Sequence, residues 1–255
     1  MTAAPAAAPR RRLLLLTIGA VVGTAILIGL GTWQLERLAW KQDLIERVET
    51  RTALPPVAAP GPDTWPALDL DAADYLPVTA SGVFDHAGEA HSFASLSEPH
   101  GRHGGQGYFI LTPLQTADGW WVIVNRGFVP ADRKNPATRA AGQVEGEVAV
   151  TGLLRPPQGR NAFTPADDPE GNLWFTRDPA AVAAALGLPA DRVAPYYIDA
   201  AFDPTLPDGL PQGGETTVTF PNNHLQYAVT WYGLAVALVA VFLVYVRAQR
   251  RRQAG

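Results

Sequence analysis

The chain contains no cysteine, and its one methionine is Met1. Without thiols it can form no disulfide, run no thiol–disulfide exchange, attach no c-type haem through C-x-x-C-H and build no thiolate metal site. Cu(I) favours soft sulfur ligands, so no copper site is expected. G-x-S-x-G, H-E-x-x-H and Walker patterns are also missing, and the "GGQG" at 104–107 runs into a β pattern rather than a helix. Nothing here is an enzyme signature, and a non-enzymatic role is expected.

Charge is absent from two long stretches, Leu13 to Leu35 and Leu225 to Val246. As helices they reach roughly 33–34 Å, enough for a hydrocarbon layer of about 30 Å. Both read as transmembrane helices. A cleaved signal peptide is the alternative for the first, but the run is long for one and no small-residue cleavage site follows it. Arg10, Arg11 and Arg12 precede the first span, and Arg247, Arg250, Arg251 and Arg252 follow the second. Basic residues beside spans stay inside, which predicts both termini in the cytoplasm and the intervening domain outside. With those seven arginines in the tails, 13 basic residues face all 24 acidic ones between the spans, a net charge of −11. Such a domain is a poor binder of nucleic acid or anionic headgroups.

The expected organisation is therefore a tail at 1–12, a span at 13–35, an exported domain at 36–222, a span at 223–246 and a tail at 247–255. Within the domain, 36–54 continues as helix, with Leu38, Leu44, Ile45 and Val48 on one stripe, until Pro55 and Pro56 stop it. Residues 55–66 are a Pro-rich, extended connector without a core-forming pattern. A β-rich core at 75–200 follows, with "VTASGVF", "EAHSFASL", "GYFILTPL", "WWVIVNRG", "VEGEVAVTGLLR", "LWFTR" and "PYYID" as strands. Asp118-Gly119 marks a hairpin. "DPAAVAAALG" is a helix with Asp178 as N-cap, Pro179 first and Gly187 as its stop. The fold class predicted is an α+β membrane protein: two transmembrane helices flanking an exported domain built on an antiparallel sheet or partly closed barrel.

Four of the five histidines, His86, His91, His100 and His103, fall in one region. Nothing nearby fixes a metal geometry, so they read as solvated loop histidines. Arg126, in "VNRGFVP", is either an anion or partner contact or a strand-end arginine paired with an acid; the second reading is the plainer. In "GTWQLERLAWK", Trp33 and Trp40 suit an interfacial belt, and Trp33 and Gln34 are candidate partner contacts. Gly19-x-x-x-Gly23 and Gly31 supply small residues for close helix packing.

His224 falls in the first turn of the second span, after Asn222 and Asn223 as N-cap candidates. The positive helix end there disfavours an imidazolium. His224, Tyr227, Ala228, Trp231 and Ala235 share one helical face. Aromatic rings beside alanines form a slot for a flat apolar ligand such as a haem, with His224 as axial ligand. The same residues also describe an interfacial anchor.

"GTWQLERLAWK", "GYFILTPL" followed by "VNRGFVP", and "NNHLQYAVTWYGLA", in that order between two spans, resemble the Surfeit locus protein 1 family. The resemblance implies assistance to cytochrome c oxidase assembly. It implies haem a as transient cofactor, bound through His224 as iron ligand with Tyr227 and Trp231 beside it. Its implied partners are the oxidase catalytic subunit and the haem a synthesis machinery, within the lipid bilayer. A haem-independent scaffold for oxidase subunits is the alternative. Composition and the short leader suggest a bacterial member in the inner membrane.

Overall fold

The computed structural model describes residues 8–216 and 222–254. Residues 1–7 and 255 of the predicted tails lie outside the described residues, as does the Leu44 side chain of the predicted stripe. Two compact units result, one of residues 1–47 with 219–255, the other of residues 48–218.

The first unit is a pair of long helices. Helix α1 runs unbroken over Ala8–Thr52 and so joins the predicted span to its helical extension. It stops shortly before Pro55–Pro56, where the pre-proline restriction ends helical geometry. Both this helix and the one at His224–Ala254 are long and apolar enough to cross a membrane. Their apolar side chains face outward: Val21 is 63% exposed and Val236 70%. Surface of that kind and extent is unstable in water and suits a lipid environment.

The helices touch along one seam. Leu238 approaches Gly23, and the Tyr232 ring lies against Gly31, where an added Cβ would sit 2.9 Å from Cζ. Gly23 and Gly31 thus allow the close approach, whereas nothing lies near Gly19. Thr32 Oγ1 and Tyr232 Oη share a hydrogen bond of 3.0 Å.

The second unit is a β-barrel. Its strands are β1 (Val57–Ala58), β2 (Pro77–Phe84), β3 (Ala90–Leu96), β4 (Gly105–Thr116), β5 (Trp121–Pro130), β6 (Glu147–Arg155) and β7 (Val193–Ala200). Their order is β1-β2-β6-β7-β5-β4-β3, and a further β2–β4 pairing closes five of them into a ring. The barrel is thus closed rather than partly closed. Most pairs are antiparallel, as expected, but β5–β7 and β1–β2 are parallel. Closure leaves no open edge among the five. Gly82 sits at the closing corner, paired with both Thr116 and Val148. A Cβ there would fall 2.1 Å from the Gln115 carbonyl oxygen, so the corner requires glycine.

Alternate residues fill the interior: Val78 and Ala80, Val122 and Val124, Val150 and Leu154, Ala194, Tyr196 and Ile198. The opposite face of β5 and β7 is covered too, with Ile123 and Tyr197 packed on Trp174 and Val182. Val182 belongs to a short helix, α2 (Pro179–Ala185), whose N-cap Asp178 Oδ1 accepts from the N–H groups of Ala180 and Ala181. Gly187, at φ +69°, ends it. Asp118-Gly119 makes the β4–β5 turn, closed by Gly119 N–H to the Thr116 carbonyl.

Three expectations need correction. "LWFTR" is not a strand: Trp174 makes one isolated bridge to Ser92, because its hydrogen bonds are spent on His91 and Phe93 alone. The Pro-rich connector does contribute to the core. Val57 and Ala58 pair with β2, and Trp65 packs edge-on against Trp120 at 5.7 Å while donating to the Pro60 carbonyl. Finally, β5 does not end at Arg126 but continues to Pro130.

Candidate functional site

The second long helix, α3 (His224–Ala254), starts where the Asn223 carbonyl accepts from the Tyr227 N–H at 3.2 Å, which makes Asn223 the N-cap position. The Asn222 Oδ1 is buried without a hydrogen-bond partner among the described residues. His224 is half-buried, and its Nδ1 lies 2.7 Å from Oε1 of Gln34 on α1. An amide oxygen only accepts, so Nδ1 carries a proton and donates it. In the neutral ring Nε2 is then left with a lone pair, and it makes no hydrogen bond among the described residues. A fixed tautomer with one nitrogen tied and the other open is the arrangement that suits an imidazole to a metal or haem iron.

The expected slot beside it is different. Ala228 and Ala235 are buried, and they share a face with His224, Tyr232 and Leu238, the residues that meet α1. The buried alanines therefore serve helix packing at the seam. Trp231 is half-buried on that face, while Tyr227 is 55% exposed. So the imidazole, with one nitrogen tied and the other open, fits an axial role. Gln34 is brought onto His224. Trp33 is not: it is 52% exposed. A groove of about 390 Å³ with an entirely apolar lining, including Tyr232, Ala235 and Val239, runs beside the seam but does not include His224.

The clustered histidines do not converge. His86 Nε2 donates to the Val144 carbonyl at 2.8 Å, and His100 Nδ1 to that of Gly214 at 3.0 Å. Among the described residues no group of three or more histidines, aspartates and glutamates could hold a metal. His91 is no solvated loop residue. It is buried on β3, with Nε2 2.7 Å from Glu89 Oε1. Glu89 also takes both terminal nitrogens of buried Arg139. Burial pushes the Glu89 carboxyl up, but hydrogen bonds from His91 and Arg139 outweigh it and hold it at about 2. Sequence reading missed this cluster. Its local signal is a glutamate and a histidine two positions apart at the start of a strand.

Arg126 is buried as well, and among the described residues no acid lies within ion-pair distance. Instead Nη2 donates to the Gly142 carbonyl, and the guanidinium stacks 4.7 Å from the Phe84 ring centroid. Burial pulls it down to about 10, so it stays charged near neutrality.

A profile of the SURF1 family matches residues 21–236. Surfeit locus protein 1 of Homo sapiens is 41% identical over 220 residues, which cover 82% of this chain and 70% of that protein. The SURF1-like protein of Drosophila melanogaster is 39% identical, with 84% and 71% covered. That of Monosiga brevicollis is 36% identical, with 90% and 87% covered. The match spans the seam residues Gly23, Gly31, Gln34 and His224 together with the whole barrel, and the chain belongs to the SURF1 family.

Proposed function

We propose that this protein is a non-enzymatic assembly factor for cytochrome c oxidase that binds haem a transiently through His224. The observation that carries the reading is the His224–Gln34 hydrogen bond, which ties Nδ1 and leaves Nε2 open. His224 would hold the iron, and Tyr227 and Trp231 are the aromatic side chains beside it. The haem supplies the cargo chemistry; the chain supplies an oriented imidazole. The partners are the oxidase catalytic subunit and the haem a synthesis machinery. The site of action is the bacterial inner membrane, with both termini cytoplasmic and the barrel periplasmic, as the flanking arginines favour.

The filled alanine face favours a second reading, a haem-independent scaffold that holds oxidase subunits. One preparation separates the two. The chain and its His224→Ala variant are purified from the same haem-a-producing strain and their visible spectra compared. Haem carriage gives a Soret band that His224→Ala loses. A scaffold gives no band, and its co-purification with the catalytic subunit survives the substitution. Alkaline phosphatase fused within the barrel and after residue 252 tests the orientation: activity at the tail would contradict it.

A further inference from the structure

The barrel carries a pocket of about 660 Å³ on the side of β6, lined by Phe84, Val148, Val150, Ala200, Leu206 and Arg126. Most of the lining is apolar; its polar side chains are Arg126, Thr151, Asp203 and Thr205. The backbone puts that arginine there by a bulge. Phe109 pairs with Phe128 and Leu111 with Asn125, so β5 holds one residue more than β4 over this interval. Gly127, at φ +124°, absorbs the distortion, because a Cβ would meet the Gln212 carbonyl at 2.1 Å. The register shift inserts Arg126 where an apolar residue would serve packing better.

The charge there is not balanced. Two buried guanidinium groups, Arg126 and Arg139, stand near one buried carboxylate, Glu89, and Arg139 takes both of its oxygens. Among the described residues, Nη1 of Arg126 is buried with no hydrogen-bond partner, while Nη2 has only the Gly142 carbonyl. Arg126 is just 7% exposed, and a buried charge without a counter-charge is costly. Facing the pocket from its rim is one acid, exposed Asp203, whose Oδ1 is engaged by Thr205. That acid disfavours a multiply charged anion such as phosphate.

We infer that this pocket binds the carboxylate of a small molecule with an apolar body, whose head group supplies the missing partner of Arg126. The volume suits a ligand of ordinary small-molecule size. The apolar walls take the body. The head reaches Nη1 by displacing the half-exposed Phe84 ring that stacks on the guanidinium. This site is independent of the reading given to His224.

The test uses the full chain in lipid nanodiscs and ¹⁹F NMR of 4-(trifluoromethyl)phenylacetate, with the corresponding amide as neutral probe and empty nanodiscs as baseline. The carboxylate should broaden on wild type and the amide should not. Arg126→Met should weaken carboxylate binding at least tenfold without lowering the melting temperature, since it removes an unpaired charge. Ala149→Trp, on the exposed wall, fills the pocket away from Arg126 and should also abolish broadening. Equal binding of acid and amide, no binding of either, or unchanged broadening in Arg126→Met overturns the inference. Should Arg126→Met fail to fold, Ala149→Trp decides: broadening that persists in it overturns the inference equally.

Discussion

Replacing Gln34 by leucine tests the arrangement at the mouth of the helix pair. The substitution keeps the apolar stem of the side chain and removes the one acceptor that engages His224 Nδ1, at 2.7 Å. Interhelical hydrogen bonds in membranes are worth about 0.6 kcal/mol on average and about 1.7 at most. At RT of about 0.59 kcal/mol, that range corresponds to a roughly 3- to 20-fold change in an equilibrium constant. It overlaps the roughly 10- to 100-fold losses that follow removal of partners behind metal-bound histidines. Haem affinity should therefore fall by roughly 3- to 20-fold in Gln34→Leu, read as a shift in a haem titration monitored at the Soret band. A structural role alone would lower affinity through the fold, so a second readout is needed. ¹⁵N chemical shifts of the His224 ring, taken without haem, should show the proton fixed on Nδ1 in wild type and shared between the nitrogens in Gln34→Leu. Gln34→Glu keeps an acceptor and should restore the wild-type tautomer. Identical ring shifts and identical titrations in Gln34→Leu and wild type would refute the argument, because the bond would then do nothing to the imidazole.

Four further outcomes follow from the packing. Glu89→Gln leaves Arg139 without its counter-charge and should destabilise the barrel by about 3–5 kcal/mol, read by thermal unfolding of the full chain. The same carboxyl sets an acid limit. Held at about 2 against an ordinary 4.5, it contributes about 3 kcal/mol above pH 4.5 that is lost as pH falls from 4.5 through 2, and Glu89→Gln should flatten that part of the pH–stability profile. Gly82→Ala at the barrel corner meets backbone rather than a movable side chain, and should cost about 3 kcal/mol, or roughly 6–12 °C in Tm. Ala228→Leu should separate the helices and lose the His224–Gln34 bond, detected as loss of a Gly31–Tyr232 proximity signal; a ligand slot would instead lose haem with the helix pair intact.

Local signals were the legible ones. The cap of α2, with Asp178, Pro179 and Gly187, and the Asp118-Gly119 turn each need only a few neighbouring residues. Trp120, Val122 and Val124 alternate with Ile123, and apolar residues on both faces match a β5 that is covered on each side, because period two survives any choice of partner strand. Pairing was not legible. Closure of β2 on β4 and the parallel β5–β7 ladder depend on register between distant segments, and no local pattern encodes them. Polar partners were hidden for the same reason: Arg139 meets Glu89 across fifty positions, and Gln34 meets His224 across 190. Arg126 was misread as a strand-end residue because the bulge at Gly127 looks like a turn in sequence.

The alanines of the second long helix show how one spacing can describe two settings. Ala228 and Ala235 lie seven apart, and seven-residue spacing serves a ligand slot and a helix seam equally well. What separates them is the facing helix. Gly23 and Gly31, eight apart on α1, take Leu238 and Tyr232 against their bare backbones, so the two sets of small residues consume each other's space. Once the seam is filled, its outermost pair is the only polar contact there that couples to an open ring nitrogen. The Thr32–Tyr232 bond further in joins two hydroxyls and leaves no strong lone pair at the surface. Gln34, read from sequence as a contact for some partner, meets His224 within the chain, and the orientation of that histidine rests on their hydrogen bond.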